Sequence, residues 1–245
     1  MRDDASLPPG MGILWRRDEE RRRPGRRPGL SLDGIADAAI GLADAEGLGG
    51  VSMARVAGSL GVTTMALYRY VDGKDELLAL VYDRVMAVPP LPDDGPWRTR
   101  LEAWCRAQVD VLRQHPWIVD LTGLPPIGPN RVRWVEAGLA ALSGTPLTVG
   151  VQVALTGMLS LHMLTQGQLI AAFAAQAAGR ETDHPALVDY GTLLRAVVDP
   201  AEHPRVAAAV SAGAFDDDGA EPGFETELAL GLLLDGVAAL VERAR

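Results

Sequence analysis

From Ser31 onward the chain repeats one pattern: apolar residues return every three or four positions, and glycine or proline closes each run. Ile35, Ala38, Ala39 and Leu42 fall at i, i+3, i+4 and i+7 behind Ser31, which is suited to cap a helix, and Gly47 ends the run. Ser52 opens a second run with Met53, Val56, Ala57 and Leu60 on the same spacing, and Gly61 stops it. Thr63 restarts the chain as a short third helix to about Tyr70. The turn VDGK then leads into DELLALVYDRVMA, which the prolines of VPPLP terminate. Beyond Pro96 the pattern predicts helices over 97–114, 116–123, 129–143, 147–178, 186–211 with a break at Pro200, and 224–244. No segment alternates convincingly with period two, so the expected fold class is all-α.

Residues 1–29 break this regularity. They are rich in proline, glycine and arginine, with too little apolar periodicity to pack, and read as a flexible Arg-rich arm. Charge makes the arm more than a tail. The whole chain carries a formal −9, which alone argues against nucleic acid as a partner. Its distribution reverses that: residues 1–30 hold eight arginines and five acids, whereas residues 75–245 hold twelve arginines and 22 acids. Within RRDEERRRPGRR seven arginines face three acids, and Arg22, Arg26 and Arg27 are the candidates there for holding a DNA backbone or a minor groove.

The second and third helices are separated only by Gly61, Val62 and Thr63, a spacing that suits a helix-turn-helix but that many helical proteins share. The residues are more telling. Ser31 through Met86, with MARVAGSLGVTTMALYRYVDGKDELLALVYD at its centre, resembles the DNA-binding region of TetR-type regulators, and ALYRYV followed by GKDELL carries much of that resemblance. The resemblance implies a three-helix helix-turn-helix DNA-binding domain, residues 30–76. A larger helical effector-binding and dimerisation domain would follow, residues 77–245.

The chemistry of these positions agrees. With Leu67 and Val71 turned inward, Thr64, Met65, Tyr68 and Arg69 are left outside on the third helix, where Thr64 could bond a base and Met65 pack on a thymine methyl. Tyr68 and Tyr70 bring hydroxyls suited to phosphates. Lys74, the only lysine, stands before a helix N-terminus, and Arg55 could hold the backbone. Ser52 and Thr63, at the helix starts, join the same DNA-contacting set.

Nothing in the remainder spells out catalysis: G-x-S-x-G, a phosphate-binding glycine loop, H-E-x-x-H and C-x-x-C are all missing. His115, His184 and His203 each precede proline, as at helix boundaries, so neither a metal nor a cofactor is expected. The single cysteine, Cys105, reads as a small buried apolar residue. No signal-like or membrane-spanning run appears, which points to the cytoplasm.

The resemblance makes the helical body an effector pocket whose gate is the helix near 116–123. Trp104, Trp117, Leu121, Trp134, Met158, His162, Met163 and Gln166 are its candidate lining, with His162 and Gln166 as the polar pair. The implied partners are double-stranded operator DNA of palindromic sequence and a small, mostly apolar effector that releases a repressor. A second copy of the chain would pair through helices near 147–178 and 224–244. Two rivals remain at this point: a helical protein-binding module with secondary DNA contact, and an enzyme acting on an apolar substrate.

Overall fold

The computed structural model describes residues 11–15, 30–121, 127–177, 190–215 and 224–245, and among them all regular structure is helical. The first three helices are α1 (Leu32–Glu46), α2 (Met53–Ser59) and α3 (Thr64–Tyr68), and α4 (Lys74–Val85) leads out of them. The body contains α5 (Trp97–Gln114), a 3-10 turn (Pro116–Asp120), α6 (Pro129–Ala141), α7 (Val149–Ala177), α8 (Tyr190–Val197), α9 (Pro204–Ser211) and α10 (Phe224–Arg243).

Local chemistry sets the boundaries of the head. Ser31 Oγ accepts from Gly34 N at 3.0 Å, Ser52 Oγ from Arg55 N at 3.3 Å, and Thr63 Oγ1 from Ala66 N at 3.2 Å, so α1, α2 and α3 each begin on a side-chain cap. Gly61 takes φ +66, a conformation L side chains adopt rarely, and this lets the chain turn from α2 into α3. The buried stripe of α1 is Leu32, Ile35, Ala36, Ala39 and Ala43, one position off the expected set because it starts at Leu32. In α3 and just after it, Leu67 and Val71 are fully buried, as their spacing implies.

Helix α5 is the spine of the body: α6, α7, α10 and the 3-10 turn all pack on it, and α4 touches α6. Trp104 and Trp134 meet edge to face with ring centroids 6.2 Å apart at the centre of this stack. No described helix is long and apolar enough to cross a membrane.

Two expectations need correction. The gate at 116–123 is a 3-10 turn ending at Asp120, held by Ile118 N to His115 O at 3.0 Å. The break expected at Pro200 is present: the described part of 186–211 is two helices, α8 and α9, and Pro204 starts the second. The unpacked arm is wrong for residues 11–15: residues 12–15 form a helical turn, and Met11, Ile13 and Leu14 are buried. Three apolar residues are too few to show a period, so only the tertiary contact reveals that they pack.

Candidate functional site

Helix α3 presents a continuous outer face. Met65 is 75% exposed, Tyr68 and Arg69 are exposed beside it, and Thr64 is partly so. An exposed methionine on a five-residue helix contributes nothing to the core, and it is free to meet an apolar base edge. Tyr70 packs partly against the core, which leaves it at the margin of that face. Lys74 is exposed at the first position of α4, where helix dipole and ammonium charge both favour an anion.

Three of the expected DNA contacts are already engaged within the head. Ser52 and Thr63 spend their hydroxyls as caps. Both guanidinium arms of Arg55 bond the Glu46 carboxylate, which raises the Arg55 pKa and lowers that of Glu46 through the shared hydrogen bonds. The pair braces the end of α1 against α2 and compensates the Arg55 charge. Arg22, Arg26 and Arg27 lie outside the described residues.

The body sorts the expected lining residues differently from the sequence. Trp104 Nε1 donates to the Trp134 carbonyl at 2.9 Å, and Trp134 Nε1 donates to the Met86 carbonyl at 2.9 Å, so both are satisfied core residues. Beside them Ser160 Oγ donates to Gln108 Oε1 at 2.7 Å, a buried pair that sequence reasoning missed because its members lie on different helices. Burial, with the Glu102 charge adding to it, pushes the Cys105 thiol up to about 12, so at neutral pH it is a protonated core group. Met158 faces outward on α7, with the exposed Leu161 rather than with the interior residues. Leu121 is buried at the end of the 3-10 turn.

Met163 and Gln166 come together at a cleft between α5, α7 and α10. This cavity of about 310 Å³ is lined by Arg106, Val109, Asp110, Met163, Thr226 and Leu230, among others. Thr226 Oγ1 bonds Gln166 Oε1 at 3.2 Å at its edge. Arg106 is held in the rim by Glu102 and Glu227, which raise its pKa. His162, one turn before Gln166, has its Nε2 enclosed with no hydrogen-bond partner among the described residues.

Two polar joints tie the head and the helix α4 that carries it to the rest of the body. Asp44 Oδ1, on α1, accepts from Trp117 Nε1 at 2.7 Å and lies 2.7 Å from His115 Nδ1, so the 3-10 turn is bonded directly to the head. Nearby the turn at 48–50 packs on that same 3-10 turn. At the other joint Asp83, buried near the end of α4, accepts from Asn130 N at 3.0 Å, and Asn130 Nδ2 donates to the Asp83 carbonyl. Arg84 Nε reaches back to Asp37 on α1 at 2.7 Å.

A capped, tightly turned helix pair with an exposed third-helix face, carried by α4 onto a larger helical body, is the build of a helix-turn-helix transcription regulator. The chain belongs to the TetR family: residues 35–81 match the model "Bacterial regulatory proteins, tetR family", and residues 89–241 match "Tetracyclin repressor-like, C-terminal domain". It is 36% identical to the HTH-type transcriptional repressor DrrR1 of Streptomyces coeruleorubidus, over 95% of this chain and 86% of that protein. Among solved structures it shares the fold of apo ActR from Streptomyces coelicolor, with TM-score 0.68, 24% identity, and coverage of 90% of this chain and 100% of that chain. ActR in complex with actinorhodin matches with TM-score 0.67 and 23% identity over 87% of this chain and 97% of that chain.

Proposed function

We propose that the protein is a dimeric repressor whose two heads bind a palindromic operator and are released by a small molecule held in the body. The single observation that carries this reading is the Asp44 junction. One carboxylate oxygen on α1 receives the side chains of both His115 and Trp117, so a shift of the 3-10 turn is felt by the head without an intermediary. DrrR1 bears the name of a repressor, and ActR has been crystallised with actinorhodin, which supports the same mode of action here.

The effector site is the cleft between α5, α7 and α10, with Met163, Val109 and Leu230 as its apolar floor and Arg106, Asp110 and Thr226 as polar groups. Its volume is at the small end of ordinary ligand pockets. The occupant is a small molecule with an apolar body and polar edges. In this reading residues 30–76 are the DNA-binding domain, residues 77–245 bind effector and dimerise, and the dimer forms through the outer faces of α7 and α10. Two recognition helices then reach successive major grooves about 34–36 Å apart.

The head is tested by three substitutions measured against matched and altered operators. Tyr70→Phe and Lys74→Ala are expected to weaken all DNA alike, with Lys74→Ala making the slope of log affinity against log salt shallower by about 1. Thr64→Ala is expected to relax discrimination at one position, by about 1–3 kcal/mol. Unchanged binding in all three would overturn the assignment.

The coupling is tested by Asp44→Ala. Trp117 is buried, and loss of its acceptor costs about 1–3 kcal/mol for the stranded indole N–H. Effector-driven release, followed by anisotropy of a labelled operator with actinorhodin among the first compounds screened, is expected to need about tenfold more compound or to stop short of completion. A release curve that superimposes on the parent's would sink the junction as the route.

A further inference from the structure

Between residues 30 and 76 seven acids stand against three bases, Arg55, Arg69 and Lys74, so the head is short of the charge that holds phosphates. Of these bases Arg55 is the one bonded to a carboxylate among the described residues. Its Nη1 donates to Glu46 Oε2 at 2.6 Å and its Nη2 to Glu46 Oε1, the parallel two-bond fit that a guanidinium also makes with a phosphate. The seat is close-fitting: a methyl group built on Gly50 would lie 2.9 Å from Glu46 Cβ and 3.3 Å from Arg55 Nη1. The two side chains therefore close over a position that glycine leaves open.

Helix dipoles do not account for the pair. Glu46 is the last residue of α1 and Arg55 the third of α2, so anion and cation each stand at the helix end that disfavours them. What favours each charge in its place is the other. Arg55 also lies on the helix that crosses the DNA backbone in a helix-turn-helix, exposed there together with Ala54 and Gly58. We propose that Glu46 sets the DNA affinity of the head by occupying Arg55, an internal carboxylate standing in for a phosphate. Phosphate contacts carry no sequence information, so withholding one lowers affinity for arbitrary and operator DNA alike and leaves discrimination to α3. It also lowers the differential affinity that an effector must supply to release the protein. This inference rests on the DNA-binding reading of the head.

The test is Glu46→Gln in the full chain, titrated over a range of salt against a labelled duplex of arbitrary sequence. It is compared with the parent, with Glu46→Ala and with the double variant Glu46→Gln/Arg55→Gln, which has the parent's net charge. At about 0.1 M salt Glu46→Gln is expected to bind about eightfold more tightly, with the slope of log affinity against log salt steeper by about 0.9, the effect of one added phosphate contact. Glu46→Ala, which leaves Arg55 no acceptor at that position, is expected to gain as much and carries the comparison if glutamine bonds Arg55 again. The double variant is expected to return to the parent's slope and to its affinity within about twofold, because no cation is released. A pair that only braces α1 against α2 predicts the opposite sign, since loosening the head weakens binding. Weaker or parent-like binding by both single variants overturns the proposal. A gain that persists in the double variant overturns it as well, because it then arises without Arg55. A parent that binds no DNA at any salt fails the reading of the head itself, whereas a parent that binds, with both single variants unchanged, fails this inference alone.

Discussion

A chain carrying Leu161→Asp together with Leu232→Asp is expected to sediment as a monomer and to bind operator about 10²–10⁴-fold more weakly than the parent, the range lost when two linked contacts become one. The expectation follows from α7, whose 29 residues contain no charged side chain. One flank of that helix packs on α5, where Leu159 and Met163 are fully buried. The opposite flank, Gly150, Ala154, Gly157, Met158 and Leu161, lies open and apolar. Alongside it α10 exposes Leu228 and Leu232, and Leu161 and Leu232 are 70% and 65% accessible in the single chain. Asp235, one turn past Leu232 on α10, is paired with Arg98 at 2.6 Å, and Glu227, beside Leu228, is paired with Arg106, so both charges are compensated. Two adjacent helices with small residues between large apolar ones form a patch that suits close, self-complementary pairing about a two-fold axis. Because both leucines are exposed in the protomer, aspartate there leaves its interior untouched, and the helical circular dichroism is expected to match the parent. Sedimentation and operator titration decide the matter. A double variant that stays dimeric would move the interface to another face.

Trp104→Ala is expected to cost about 3–5 kcal/mol of stability, the usual range for deleting a buried aromatic side chain, and to lower the melting temperature by about 6–20 °C. Trp104 touches much of what holds the body together. Its ring packs edge-on against Trp134, its Nε1 bonds the Trp134 carbonyl, and Gly138 lies so close that an added Cβ would come within 2.8 Å of its Cζ2. Thr156 Cγ2 closes the same contact from α7, at 2.7 Å from that Cβ position. A cavity here therefore loosens α5, α6 and α7 at once. Trp104→Phe keeps most of the volume and loses the hydrogen bond, and is expected to cost about 1–2 kcal/mol. Calorimetry or thermal circular dichroism measures both. If Trp104→Ala melts like the parent but no longer answers to effector, the residue is a ligand contact after all.

Much of the head was legible from the sequence alone, because its determinants are local. Ser31, Ser52 and Thr63 cap helices through bonds to amides three residues on, Gly61 turns the chain within one residue, and the inward spacing of Leu67 and Val71 leaves Met65 and Tyr68 outside. The charge-free run that became α7 was equally plain. None of these features needs a distant partner. What the tertiary structure decided is what distant partners make: Asp44 meets His115 and Trp117 across 71 and 73 positions, Asp83 meets Asn130 across 47, and Gln108 meets Ser160 across 52. Trp104 and Trp134 look like pocket residues in a sequence because an indole N–H requires a partner, and only the fold supplies the two backbone carbonyls that satisfy them. Arg55 looks like a phosphate ligand until Glu46, nine residues earlier on another helix, is folded against it. The short apolar run before the arginines shows the same limit: a helical period needs more than one turn to be visible, whereas burial needs only a surface to receive it.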